Sequence, residues 1–432
     1  MSKLAVLGGE KAVRLDYEKV ANRPLVTEKG LNDSVALMKK GEISQSPTVK
    51  AFEKRFADYV GAKYAVATNN GTASLDCGLF AVGVRPGEEV IVPSYTFWAT
   101  VVPIIAEHAV PVFCDVDPET FTVDPADIEK KITPKTKAIM LVHVWGNPAN
   151  MDAVMKVARK HNLKVIEDCS HAHGAKYRGT NVGLIGDVGC YSMQASKLLC
   201  GGEAGILVTN NRECYERALS LGQYDRISGL PEDSVYRQYM LTGMGHKYRP
   251  HPVAIAIANA NLDELDERNA IRNSNAEAFA KSIADIPFIR PQKANEGAER
   301  EYSYQYYFYD KDKFSGIRTI SFLKALSAEG VICGYCGYGR LHKAPLFLQG
   351  GAYGDCGAHK TPVSLPVTEL LAEQTFLAAP RFENKCPELM KQYAEAYHKV
   401  AANMNALADF DKKYDATAMQ KHLSGRSVAL FK

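Results

Sequence analysis

Short runs of apolar and β-branched residues recur along the first two-thirds of the chain. They lie at Tyr64–Thr68, Glu89–Pro93, Val110–Val116, Ala138–Val144, Lys164–Asp168, Val188–Ser192 and Gly205–Thr209. Each is strand-length and has few polar interruptions, the pattern of strands buried on both faces. Segments of helical period, among them Thr72–Val82 and Met151–His161, separate several of the runs. This alternation predicts an α/β domain with a mostly parallel seven-stranded sheet covered on both sides. In such domains the functional residues gather at the carboxyl ends of the strands.

The pattern changes near Pro252. A helix-forming stretch from Val253 to Ile283 could join two domains. An aromatic strand-like run, Tyr302–Tyr309, follows, and then a helix–strand pair over Thr319–Tyr335 and a Gly-rich loop, Gly350–Gly357. The expected organisation is an N-terminal arm (1–25), a large α/β domain (26–252), a linking helix (253–283), a smaller α+β domain (284–411) and a solvated tail (412–432). A chain of 432 residues exceeds what one core normally serves, which agrees with two domains.

Composition mainly excludes. Apolar residues make up 46% and charged residues 23%, and the net charge of +3 argues against nucleic acid or an anionic membrane as partner. No run approaches the roughly 18 apolar residues of a membrane span, and the N-terminus lacks the apolar core of a signal peptide. A cytoplasmic protein is the expectation. Ten cysteines are scattered, and the pair Cys333 and Cys336 has no second pair or histidines at ligand spacing, so no metal is expected.

Candidate chemistry concentrates at strand ends. Asp168 closes the run LKVIED, which aims its carboxylate into the crevice, although an aspartate there also serves as a helix cap. Gly71 and Thr72 stand between the strand YAVAT and a helix expected to start near Ala73. Free backbone N–H groups and the helix dipole at that point suit an anion. A nicotinamide dehydrogenase would need G-x-G-x-x-G after the first strand. The chain reads NNGTAS there, and Gly183 and Gly186 are wrongly spaced.

The stretch VIEDCSHAHGA, followed by GDVGCYSMQASKLLCGGEAGILVT, carries a more specific signal. With FEKRFADYVGAKYAVATNNGTASLD, RPGEEVIVPSYTFWAT and VHVWGNPANMD in the same order, it resembles the DegT/StrS-type family of sugar aminotransferases over nearly the whole chain. The resemblance implies the aspartate-aminotransferase-like fold (fold type I), the cofactor pyridoxal 5'-phosphate (PLP), and a homodimer with shared active sites. PLP needs an amine for its aldehyde, a carboxylate to keep its ring nitrogen protonated, donors for its phosphate and an apolar face for its ring.

The resemblance assigns the amine to Lys197 and the carboxylate to Asp168. It gives His171 the ring or its phenolic oxygen, Phe97 the stacking face, and Gly71, Thr72 and Ser192 the phosphate. Two departures stand out. Lys247, in GHKYRPHP, replaces an asparagine that the family supplies from the neighbouring subunit, and Ala204 replaces a glycine after the lysine. A dehydratase branch has histidine in place of the lysine, so Lys197 favours transamination.

Glutamate or glutamine is the implied amino donor. YFYDKDKFSGIRTISFLKAL and GRLHKAPLF look most like the keto-cyclitol (inosose) branch, with a nucleotide-linked keto-sugar as the alternative acceptor. Tyr338, Arg340 and His342 are candidate acceptor contacts, or equally a capped loop with a surface arginine. A PLP-binding regulatory protein without turnover stays open at this point.

Overall fold

The computed structural model describes residues 2–314, 316–349 and 363–413. The first nine strands are β1 (Tyr64–Thr68), β2 (Glu89–Pro93), β3 (Val110–Cys114), β4 (Thr136–Val142), β5 (Lys164–Asp168), β6 (Lys176–Tyr177), β7 (Thr180–Asn181), β8 (Val188–Ser192) and β9 (Gly205–Thr209). Seven of them form one sheet in the order β1-β9-β8-β5-β4-β2-β3, in which only β9 runs antiparallel to its neighbours. The seven apolar runs are these strands. The third ends at Cys114 instead of Val116, and the fourth is shifted to Thr136–Val142.

Alternate residues of each strand enter opposite cores. Ala65, Ala67, Ile91, Ile139 and Val165 pack on one face, and Val66, Val90, Val92, Met140 and Ile166 on the other. Both faces are therefore dry, which is why the strands read as continuous apolar runs.

A second sheet, order β10-β12-β14-β13, comprises β10 (Ile289–Pro291), β12 (Gln305–Tyr309), β13 (Gly334–Tyr335) and β14 (Thr375–Ala379). The short strand β11 (Ala298–Glu299) pairs with β6. The aromatic run begins pairing only at Gln305, with an irregularity before Tyr306. Its core joins Phe279, Tyr307, Phe322, Phe376 and Tyr397 to Leu4, Val13 and Ala21. The expected N-terminal arm thus contributes Leu4, Val13 and Ala21 to this second core, while Leu15 and Leu25 stay exposed. Buried Glu329 fastens the arm by accepting hydrogen bonds from the Ala5 and Ala12 amides.

The expected single linking helix is two, Pro252–Leu262 and Leu265–Ser282, interrupted at Asp263 and Glu264. The final helix, Met404–Lys413, runs into the expected tail, whose remaining residues lie outside the described ones, as does the Gly-rich loop. A fourth aromatic cluster, containing Tyr95, Phe121, Trp145 and Phe308, joins the end of the large sheet to the second sheet.

Candidate active site

β1, β8, β5, β4 and β2 all end on one edge of the large sheet, and that edge carries the site. Asp168 is the last residue of β5 and is buried, 4% exposed. Its Oδ2 accepts a hydrogen bond from the Thr100 hydroxyl at 2.9 Å, and its Oδ1 accepts one from the Ser170 amide at 3.0 Å. The strand end is anchored by the preceding residue. Buried Glu167 accepts bonds from the amides of Gly183, Ile185 and Gly186 and faces His143 Nε2 at 2.9 Å. The His143 amide in turn donates to the Asp168 carbonyl.

Lys197 lies in the turn after β8, its amide donating to the Gln194 carbonyl, and is half-buried. Burial lowers its pKa below the ordinary lysine value, and the nearby Arg381 guanidinium acts in the same direction. Tyr304 and the Asp168 carboxylate oppose the shift. Desolvation dominates, so a larger fraction of the amine is unprotonated than on a surface lysine.

At the neighbouring strand ends, the helix Gly71–Ala81 begins directly against Ser192. A Cβ on Gly71 would stand 2.5 Å from the Ser192 Cβ, so only glycine permits this approach. Thr68 and Ser192 both pair with Gly205 of β9, where a Cβ would come within 2.3 Å of the Asn70 carbonyl oxygen. The Asn70 side chain caps the Ala73 amide, and the Asn70 carbonyl takes the Ser74 amide. The amides of Gly71 and Thr72 have no acceptor among the described residues. Together with the Ser192 hydroxyl they make a cradle for an anion.

His171 is buried, and burial holds its pKa well below 6.5, helped by the positive charge of Lys197. Its Nδ1 accepts the Trp145 amide at 3.2 Å, so the ring proton resides on Nε2. Nε2 stands 3.3 Å from the Tyr338 hydroxyl. Trp145 itself is held at φ 54° and stacks on Tyr338 at a centroid distance of 5.4 Å.

Residues 25–378 match the model of the DegT/DnrJ/EryC1/StrS aminotransferase family. The chain belongs to this family. It is 33% identical over 428 residues to a protein of Streptoalloteichus tenebrarius provisionally named L-glutamine:3-amino-2,3-dideoxy-scyllo-inosose aminotransferase. That match covers 94% of this chain and 99% of the relative. It is 43% identical to the GDP-perosamine synthase of Caulobacter vibrioides over 54% of this chain and 62% of that one. The X-ray structure of an aminotransferase from Psychrobacter cryohalolentis superposes with a TM-score of 0.81 at 26% identity, covering 89% of this chain and 100% of that chain.

As a DegT/StrS-family member, the chain is a PLP-dependent aminotransferase of fold type I. The groups at the strand edge fit that cofactor in kind. They comprise an amine, a carboxylate whose charge reaches it, a neutral imidazole N–H, two free amides beside a hydroxyl, and the 47%-exposed ring of Phe97.

Three candidate positions make no hydrogen bond or ion pair with the Asp168–Lys197 group within this subunit. Lys247 is exposed, with its Nζ 6.0 Å from the Tyr224 ring, and makes no hydrogen bond or ion pair with the Asp168–Lys197 group. His342 is only 2% exposed, and its Nδ1 lies 2.7 Å from the Ser94 hydroxyl. This pairing braces the end of β2 from inside the core, and the other ring nitrogen, Nε2, lies 3.5 Å from Glu369 Oε1. Arg340 is exposed and unpaired among the described residues, whereas Tyr338 does reach His171.

Thr100, Trp145, Tyr304 and Arg381 stand beside these residues and were not among the candidates. Arg381 donates to the Ser196 carbonyl at 2.8 Å from 185 residues away. Only Thr100 and Trp145 lay inside motifs already recognised, and no spacing rule points to the other two.

His173, buried one turn further on, carries a pH prediction. Burial, with Lys197 and Arg272 nearby, lowers its pKa from 6.5 to about 3. The unfolded chain therefore binds a proton between about pH 6.5 and 3 that the folded chain refuses. The corresponding stability is complete above pH 6.5 and is lost on acidification, by up to about 1.4 kcal/mol per pH unit in that window. Urea unfolding at pH 7 and pH 5 should show a smaller loss for His173→Gln than for the parent; equal losses would refute the assignment.

Proposed function

We propose that this aminotransferase moves an amino group from glutamine or glutamate to a keto-cyclitol of the inosose type. The observation that carries the chemistry is the Lys197 amine, its pKa lowered by burial, lying within reach of the Asp168 charge at the sheet edge. The cyclitol acceptor is supported by the relative that matches over almost its entire length.

Bound PLP supplies an electrophilic aldehyde and an electron-withdrawing ring. Lys197 is the amine that binds the aldehyde. When free, it removes the proton from the donor's Cα and later returns one to the product. Asp168, oriented by Thr100, keeps the ring nitrogen protonated. The Gly71 and Thr72 amides and the Ser192 hydroxyl take the phosphate, and Phe97 covers the ring. His171 Nε2–H donates to the phenolic oxygen, and its neutrality keeps a second positive charge away from Lys197. Tyr338, whose hydroxyl lies 3.3 Å from His171 Nε2, contacts the acceptor. The two half-reactions share these groups, which gives ping-pong kinetics.

The test is incubation of the PLP-loaded enzyme with glutamine or glutamate and a panel of keto-cyclitols and nucleotide-linked keto-sugars, with mass detection of aminated product. Amination of cyclitols supports the reading. Turnover of nucleotide sugars alone would favour the second reading, to which the higher identity with GDP-perosamine synthase over part of the chain gives weight. The described cysteines are all free, which is in keeping with work in the reducing cytoplasm.

The exposed position of Lys247 fits a homodimer in which this lysine serves the partner's phosphate site. Lys247→Ala and Lys197→Ala homodimers should then both be impaired. Once subunits reassort, about half the dimers are mixed, and each mixed dimer has one intact site, so roughly a quarter of parental activity should return. No recovery despite proven exchange would exclude the shared site.

A further inference from the structure

A second cluster of ionisable groups gathers at the middle of the helix that begins at the anion cradle. Asp76, in the helix Gly71–Ala81, is 4% exposed. Its Oδ2 accepts a hydrogen bond from the Tyr248 hydroxyl at 2.7 Å, while its buried Oδ1 has no hydrogen-bond partner among the described residues. Glu107 follows the helix Val102–Ala106, and its Oε1 lies 3.5 Å from His246 Nε2. The His246 ring stacks on Tyr248 with centroids 5.1 Å apart and planes 10° from parallel, which directs its edge to the carboxylates. Ligand atoms of Asp76, Glu107 and His246 all lie within 4.8 Å of one another.

Two carboxylates this close, one of them buried with an oxygen that lacks a partner, are relieved either by a shared proton or by a bound cation. Another buried group of the same residue types, His143, Glu167 and Cys169, has no such need, because three backbone amides already bond to Glu167. We propose that Asp76, Glu107 and His246 bind a single divalent transition-metal ion of the zinc class. One imidazole and two carboxylates suit such an ion, with bonds of about 2.0–2.2 Å and water completing the shell. His246 is half-exposed, so a small rotation of its ring closes the set without moving the helices.

The position gives the ion a structural role. The segment around Tyr248 is strapped to the cradle, since the Asn69 amide donates to the Tyr248 carbonyl at 2.9 Å and the Tyr248 amide donates to the Gly222 carbonyl at 2.8 Å. A metal ion joining His246 to Asp76 and Glu107 pins this segment, and Lys247 with it, to the helix that begins at Gly71.

Tag-free, PLP-loaded enzyme is stripped with a chelator and titrated with Zn2+ by calorimetry, and separately with Co2+ by visible absorption. The expected result is one ion per chain, with affinity reduced more than about 100-fold in His246→Gln and in Asp76→Asn, since loss of a direct ligand exceeds the effect of losing an outer partner. Zn2+ should also raise the thermal midpoint of the parent but not of His246→Gln, whose exposed position leaves folding intact. His161→Gln, altering a surface histidine paired with Glu129, should bind as the parent does. Absence of stoichiometric uptake by the parent, or unchanged affinity in His246→Gln, would overturn the proposal and leave the carboxylates sharing a proton.

Discussion

Lys197→Ala is expected to lower transamination by at least about 10⁴-fold, because one side chain supplies both the amine that binds the cofactor's aldehyde and the base that moves the donor's proton. The loss should fall on kcat for both half-reactions. Phosphate and ring contacts survive, so the variant should still take up PLP, while borohydride no longer fixes pyridoxyl mass on the peptide that contains residue 197. In the parent that peptide should carry the label. The half-buried turn around Lys197 tolerates truncation, since the backbone is held by the Gln194 carbonyl and by the Met193–Ala204 hydrogen bond. Near-parental activity in Lys197→Ala, or borohydride labelling at another lysine in the parent, would remove Lys197 from its role.

Asp168→Asn should slow both half-reactions by about 10²–10³-fold, in the range found when a single charge-stabilising group is removed from an enclosed site. Asparagine fits the same space, its oxygen accepting from the Ser170 amide while its NH2 donates to the Thr100 hydroxyl oxygen. Folding and cofactor uptake should therefore be unchanged, and only the protonation of the ring nitrogen is lost. Stopped-flow absorbance with glutamine, and in reverse with the aminated product, should show similar slowing in the two directions because both depend on the same ring. A variant slowed in one direction only would place Asp168 at a substrate instead of the cofactor.

The fold class was legible because the large sheet is covered on both faces. A strand such as Ile139–Leu141 contributes side chains to two cores at once, so apolar residues are obligatory at consecutive positions, and the runs stand out without any alternation to decode. Local chemistry was legible for the same reason at Asp168 and Gly71, where a strand stops and the next residues must cap or bind something. Boundaries were less so. The helical stretch from Val253 breaks at Asp263 and Glu264 with no Gly or Pro to mark the stop, and the N-terminal residues join the second core through Leu4 and Val13, isolated apolar positions with no period.

The candidate site divides along the same line. The resemblance to the family singled out Lys197, Asp168, His171 and Ser192, which lie within 30 residues at and just beyond the ends of two strands that the fold places side by side. Tertiary structure alone decided that Thr100 holds the Asp168 carboxylate, that Arg381 and Tyr304 reach the Ser196 carbonyl beside Lys197, and that His342 pairs with Ser94 inside the core. These partners come from distant parts of the chain, and a contact between distant residues leaves no period or spacing in one sequence. What burial does to a charge is likewise a property of the packed neighbours, so the lowered pKa of Lys197 and the neutrality of His171 exist only once both sheets close around them.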